Sequence, residues 1–286
     1  MATLFVDNLT VIDFSYLDSE HGIVGESWQV DIELSGALDA QGMVFDFGKV
    51  KRQIKHLIDQ EADHRLWVPV KSTGYNAKVA GDQLALKFPL LSGGIIHHQS
   101  PVDAVLLLDA KEIKKSQVAT YLQQKIQIIL PSHVTEVRIF LRSEVIEAAY
   151  YHYTHGLQKH LGQCQRIAHG HRSRIQIIVN NQRQTEIEAY WAHKLNNVYI
   201  ATRAHICKTF SVNQINHTEL AYKALQGEFL ISLPSDRVFV MEKVTTVENI
   251  AVELAELSAK KYQQSVLVKA YEGIGKGALA KSYVDE

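Results

Sequence analysis

The stretch Tyr153 to Val179, YTHGLQKHLGQCQRIAHGHRSRIQIIV, decides how the rest of the chain is read. It carries His155, Cys164, His169 and His171, and ends in a run, Arg174 to Val179, that alternates and then becomes continuously apolar. Side chains two apart on an extended strand share a face, so a strand starting at His169 projects the His169 and His171 imidazoles the same way. A second strand ending at His155, folded back antiparallel through residues 156–168, sets His155 across from that pair. Three neutral imidazoles converging from two adjacent strands, with a fourth position open to water or substrate, make the usual layout of catalytic zinc. Cys164 lies in the connecting loop, close enough to act on whatever fills the open position. In a chain with 14 histidines a lone His-x-His pair is more often surface or core than ligand, so the reading depends on the company the pair keeps.

The whole chain has 286 residues, 46% of them hydrophobic and 21% charged, an ordinary globular make-up able to bury one large or two modest cores. A formal net charge of −1 without a basic run offers nothing to nucleic acid or to a membrane surface. No apolar stretch approaches a membrane span, and MATLFVDNLTVIDFSY carries Asp where a signal peptide is purely apolar. Two cysteines, Cys164 and Cys207, give no disulfide framework, so a cytoplasmic location is expected, with Cys207 in the core.

Periodicity predicts strands over 3–17 and Glu26–Ser35 and a helix from about Gly48 to Gln60, with Asp46 and Phe47 capping and packing it. A hairpin over Gly81–Leu91, a buried strand over Asp103–Asp109, a helix from about Lys114 to Ile128 and a strand over Glu136–Leu141 follow. The second half repeats this order. Strand Arg172–Val179 and a helix over Thr185–Val198 answer the early strand and helix, and strand Asp236–Glu242, a helix through Ile250, Leu254 and Leu257, and strand Val266–Tyr271 answer the late ones. The chain therefore reads as two ββαββαβ-type copies, 1–143 and 144–286, joined without a flexible linker.

The order His155, a loop with Cys164, then His169-Gly170-His171 running into a strand resembles the 6-pyruvoyl- and 6-carboxy-tetrahydropterin synthases. Thr246-Val247-Glu248-Asn249-Ile250-Ala251 is similar to that family's helix-opening PT-x-E-N-x-A segment, with Thr245 where Pro is usual. Val266–Glu272 is similar to its last strand with the pterin-binding Glu, and Asp63-His64 falls where the family has its catalytic Asp-His pair. The resemblance spans about residues 150–180, 234–277 and 26–66, and Cys164 stands one residue further from the His pair than in the commonest bacterial form. It implies an α+β chain of two tandem T-fold (tunnelling-fold) copies, each an antiparallel sheet with two helices on one face. It further implies Zn2+ on His155, His169 and His171, catalysis by Cys164, Asp63 and His64, and a pterin anchored by Glu272. The implied activity is that of a zinc-dependent lyase acting on 7,8-dihydroneopterin triphosphate or a similar pterin, in a homo-oligomer without nucleic-acid or membrane partners.

Aligning the copies predicts that they have divided the chemistry. The three His positions fall near Asp18, Val24 and Glu26 in the first copy, and Ser143 stands where Glu272 stands, so that site is expected to be dead. The Asp-His pair is kept in the first copy and answered in the second by Ala204-His205 or Asp236-Arg237, which predicts composite sites between copies. Lys276 is expected in solvent. Two other readings stand beside this one: a non-catalytic pterin- or purine-binding T-fold protein that keeps one metal site, and a metal-free tandem T-fold of the urate-oxidase kind. The His triplet has no use in the last.

Overall fold

The structure, a computed structural model, describes residues 1–283; the last three residues of the expected second copy lie outside the described residues. The chain opens with two long antiparallel strands, β1 (Ala2–Asp18) and β2 (Gly22–Gly36), joined by a tight turn. Ile12 and Phe14 of β1 and Trp28, Val30, Ile32 and Leu34 of β2 are buried on one face, the period of two that a half-covered sheet requires. Asp46 caps the following helix, its carboxylate accepting from the Lys49 amide at 2.9 Å. Phe47, expected to pack, is instead exposed, because it lies on the outer side of the first turn. The helix runs through α1 (Phe47–Lys49), a π-helical stretch (Val50–Ile54) and α2 (Lys55–Glu61), with Val50, Ile54 and Ile58 turned to the sheet.

Strand β3 (Leu66–Pro69) leads into a meander of β4 (Asn76–Ala80), β5 (Gln83–Pro89) and β6 (Ile95–Pro101), then β7 (Val105–Leu108), α3 (Lys115–Ile129) and β8 (Val134–Ser143). The first sheet has the order β7-β3-β1-β2-β8. Its β1-β2-β8 portion is antiparallel, and β3 and β7 extend it in parallel. Val118, Leu122 and Ile126 of α3 join the α1–α2 residues in one core on the same face.

The second half contains β9 (Tyr150–His155), β10 (His169–Val179), the short β11 (Gln182–Arg183), α4 (Thr185–Leu195), β12 (Val198–Thr202), β13 (Ile206–Val212), β14 (Ile215–Ala224), β15 (Gly227–Pro234), β16 (Val238–Met241), α5 (Val247–Tyr262), β17 (Val266–Tyr271) and β18 (Gly277–Ser282). Its sheet, β16-β12-β9-β10-β17-β18, repeats the first strand for strand, adds β18 at one edge and pairs the short β11 with the end of β10. The fold is therefore α+β, two tandem T-fold copies. Helix α4 stops at Leu195, short of the expected Val198, because Asn197 takes a left-handed conformation (φ 56°) that starts the turn into β12.

Each copy inserts a three-stranded meander, between β3 and β7 in the first and between β12 and β16 in the second, and the two meanders fuse into one sheet, β13-β14-β15-β6-β5-β4, through the antiparallel pair β6–β15. The copies also meet where β1 and β2 cross β9 and β10. Ser15 Oγ and Thr154 Oγ1, both fully buried, lie 2.7 Å apart there. A Cβ on Gly25 would collide with the Tyr153 carbonyl, and one on Gly170 would sit 2.5 Å from Ser15 Oγ, so two glycines permit the close crossing.

Candidate metal and catalytic site

The antiparallel register of β9 and β10 sets His155 opposite His169 and Tyr153 opposite His171. All three imidazoles are buried, and they offer ligand atoms that all lie within 4.8 Å of one another. Two of the outer nitrogens are bonded from behind, His155 Nδ1 donating to the Thr245 carbonyl at 2.8 Å and His169 Nδ1 to the Arg166 carbonyl at 3.1 Å, while His171 Nδ1 lies 3.2 Å from Asp13 Oδ1 without a hydrogen bond. The Nε2 atoms of all three are buried and without a hydrogen-bond partner. A buried lone pair with no partner is costly, and three of them turned to one point fit a cation. Burial, reinforced by the neighbouring imidazoles, holds His155 and His169 well below the ordinary histidine range, in the neutral form that a metal needs.

Cys164 sits in a short 3-10 turn, Gln163–Gln165, within the loop that joins the two strands; the first copy has only a tight turn between β1 and β2 at this place. His64 comes from the first copy, after α2, in a left-handed conformation (φ 54°) fixed by donation of its amide to the Asp13 carbonyl at 2.7 Å. Its Nδ1 meets Asp63 Oδ2 at 2.6 Å, and Asp63 Oδ1 accepts from the Asp13 amide at 2.8 Å. Ligand atoms of His64, Cys164 and His169 lie within 4.8 Å of one another, and the His64 and His169 ring centroids are 5.1 Å apart. Burial alone would lower His64, but its hydrogen bond to Asp63 and the nearby Cys164 overcome it and push the imidazole up to about 10. Glu272, just past β17, brings Oε1 to 3.9 Å from His171 Nε2. The seven residues singled out in the sequence thus gather in one place within one chain, between the two copies.

Asp13 was not among them. Its carboxylate takes a hydrogen bond from Ser27 Oγ at 2.5 Å and an ion pair from Lys276 Nζ at 3.2 Å besides its contact with His171. Burial works to raise it, yet His171, Lys276 and Ser27 together hold it well below the usual carboxylate range. Lys276 is exposed, as expected, and its Nζ nevertheless reaches this carboxylate. Cys207, expected in the core, is exposed on β13, whose position at a sheet edge leaves alternate side chains uncovered.

Strand register corrects the alignment of the copies. Tyr16 opposes Val24 and Phe14 opposes Glu26 in the first copy as His155 opposes His169 and Tyr153 opposes His171 in the second. The three ligand positions are therefore Tyr16, Val24 and Glu26, not Asp18. Trp28 pairs with Ser143 and occupies the position of Ser173, and Phe14, Trp28 and Trp67 pack together, Phe14 stacked on Trp67 at 3.7 Å. Aromatic rings fill the space that the second copy keeps for its site. The counterpart of Asp63-His64 is Asn196-Asn197, not Ala204-His205 or Asp236-Arg237. Asn197 shares the left-handed conformation of His64, its amide bonds the His152 carbonyl at 2.7 Å, and Asn196 Oδ1 accepts from the His152 amide at 3.2 Å.

The model of the 6-pyruvoyl tetrahydropterin synthase family matches residues 14–89 and 144–280. A Pyrococcus horikoshii protein named "Putative 6-carboxy-5,6,7,8-tetrahydropterin synthase" is 24% identical over 136 residues, 46% of this chain and 76% of its own length. Among solved structures, 6-pyruvoyl tetrahydropterin synthase from Plasmodium falciparum is similar at 16% identity and a TM-score of 0.39, over 50% of this chain and 91% of that one. The Plasmodium vivax enzyme is similar at 16% identity and a TM-score of 0.37, over 49% and 97%. With the family model covering well over half of its length, the chain belongs to the 6-pyruvoyl tetrahydropterin synthase family.

Proposed function

We propose that the chain is a zinc-dependent lyase of the 6-pyruvoyl/6-carboxy-tetrahydropterin synthase type, acting on 7,8-dihydroneopterin triphosphate or a similar pterin. The observation that carries this reading is the set of three partnerless Nε2 atoms beside the Asp63-His64-Cys164 chain. His155, His169 and His171 would hold Zn2+, and the all-imidazole donor set suits it. Bound there, the metal supplies Lewis acidity toward oxygens of the substrate side chain. Cys164 is the general base that removes a proton from a side-chain carbon; the electron pair left behind expels the leaving group. Asp63 fixes the His64 ring through Nδ1, and the other edge of that ring faces Cys164 to exchange its proton. Glu272 accepts paired N–H donors from a 2-amino-4-oxo pterin ring. Arg65 and Arg166 bring guanidinium groups next to the pair, complementary to a phosphorylated side chain; burial and Arg65 push Arg166 down to about 10.

In this reading residues 1–143 form the copy with the degenerate site and 144–286 the copy with the intact one, and the composite site closes in cis. The protein assembles as a homo-oligomer, and its free cysteines suit a reducing cytoplasm. The test is turnover of dihydroneopterin triphosphate by the zinc-loaded protein, followed by triphosphate release and pterin absorbance. Release by wild type that vanishes in Cys164→Ala supports the reading. A zinc-loaded wild type that leaves the compound unchanged contradicts the substrate assignment.

A further inference from the structure

The three candidate ligands differ in what holds them. His155 and His169 are held by main-chain carbonyls of their own copy, Thr245 and Arg166. His171 alone faces a carboxylate, Asp13 Oδ1 at 3.2 Å, and that carboxylate comes from the other copy. Resting on the zinc reading above, we infer that Asp13 is a positioning residue for the metal. It keeps the proton on His171 Nδ1, so that Nε2 presents its lone pair beside those of His155 and His169.

The surroundings of Asp13 are built for that task. The carboxylate is almost fully buried and cannot swing away, because Ser27 Oγ fixes Oδ1 at 2.5 Å and Lys276 Nζ holds Oδ2 at 3.2 Å. Its main-chain amide binds Asp63 Oδ1 at 2.8 Å and its carbonyl takes the His64 amide at 2.7 Å. One residue therefore ties the metal ligand to the segment that carries the Asp-His pair. The His171 nitrogen and Asp13 oxygen are in contact without being aligned as an ideal hydrogen bond, so charge contributes beside direction. A carboxylate behind an imidazole both selects the tautomer and makes the ring a stronger donor to a metal, which a carbonyl does less well. At the related position of the second copy stands His152, which bonds the Gly25 carbonyl at 2.7 Å and offers no carboxylate to the positions of Val24 and Glu26.

The experiment is a zinc competition titration of the full-length protein against a chromogenic chelator, for wild type, Asp13→Asn and the control Ser143→Ala. Zinc bound about 10- to 100-fold more weakly by Asp13→Asn, with the control unchanged, is the expected result. Equal affinity in wild type and Asp13→Asn overturns the inference while leaving the zinc reading intact; a wild type that binds no zinc overturns both. Should Asp13→Asn fail to fold, long-range 1H–15N correlation of the zinc-bound wild type reads the tautomer directly. A proton on His171 Nδ1 supports the assignment, and a proton on Nε2 overturns it.

Discussion

The buried histidines of this chain separate by whether their partnerless nitrogens gather in one place. His98 is buried with Nε2 at 3.0 Å from Ser100 Oγ and Nδ1 without a partner, but it joins no group of potential ligands among the described residues, and burial alone pushes it down to about 3. The meeting of His155, His169 and His171 was legible in the sequence because a strand ending at His155 and folded back onto the His169-Gly170-His171 strand sets it across from the pair; the pair alone did not decide it. Asp13 was not legible, since nothing local distinguishes it from any strand acid, and its partner lies in the other copy. Two outcomes follow at this scale. Cys164→Ala should lower turnover by about 10²–10⁴-fold with zinc content unchanged, as loss of a general base does; steady-state kinetics beside metal analysis checks it, and undiminished turnover removes the base. Acid should weaken the metal-free protein. An unfolded His98 takes its proton near the ordinary 6.5, whereas the folded one refuses it until about 3. The folded state therefore keeps its full stability above pH 6.5 and loses up to about 1.4 kcal/mol per pH unit below it for each such imidazole. His155 and His169, also held low, add in the same direction. Urea unfolding of chelator-treated protein at pH 7 and pH 5 measures this, and His98→Gln should flatten the slope; equal stability at both values contradicts it.

At the scale of elements, the strands that alternate and the helices that repeat at three and four residues were readable, and their order exposed the duplication. The meanders were not. β4 is short and largely exposed, and β13 likewise, so neither carries an apolar period strong enough to stand out; each is held by pairing within a sheet made from both copies. The crossing of the two sheets was equally silent, because the glycines that allow it look like turn residues in a linear reading. Gly25→Ala should therefore cost about 3 kcal/mol, as an atom forced into a packed crossing does, and a denaturant midpoint close to wild type would show that the strands can move apart. Thr246, whose hydroxyl accepts from the Asn249 amide, caps α5. Thr246→Ala should cost about 1 kcal/mol by the same measurement.

For the whole molecule, duplication followed by divergence accounts for the proposed site being split between the two copies. The first copy supplies Asp13, Asp63 and His64; the second supplies three histidines, Cys164 and Glu272. The related site is closed by Phe14, Trp28 and Trp67 and by Val24 at a ligand position. Val24 and Ser143 pointed to the first copy as the degenerate one, but that the candidate residues of both copies meet within one chain was not readable, because sequence does not say how two copies pack. Among the described residues β8 and β18 end their sheets without a further partner, and such edges invite pairing with another chain. Sedimentation should find an oligomer, and a monomer would contradict that part of the proposal. The most direct measurement is the zinc content of the purified wild type beside that of His169→Ala. One zinc per chain, lost in the variant, is predicted; two per chain, or metal retained by the variant, would contradict a single site in the second copy, and no metal in either would leave the fold without its chemistry.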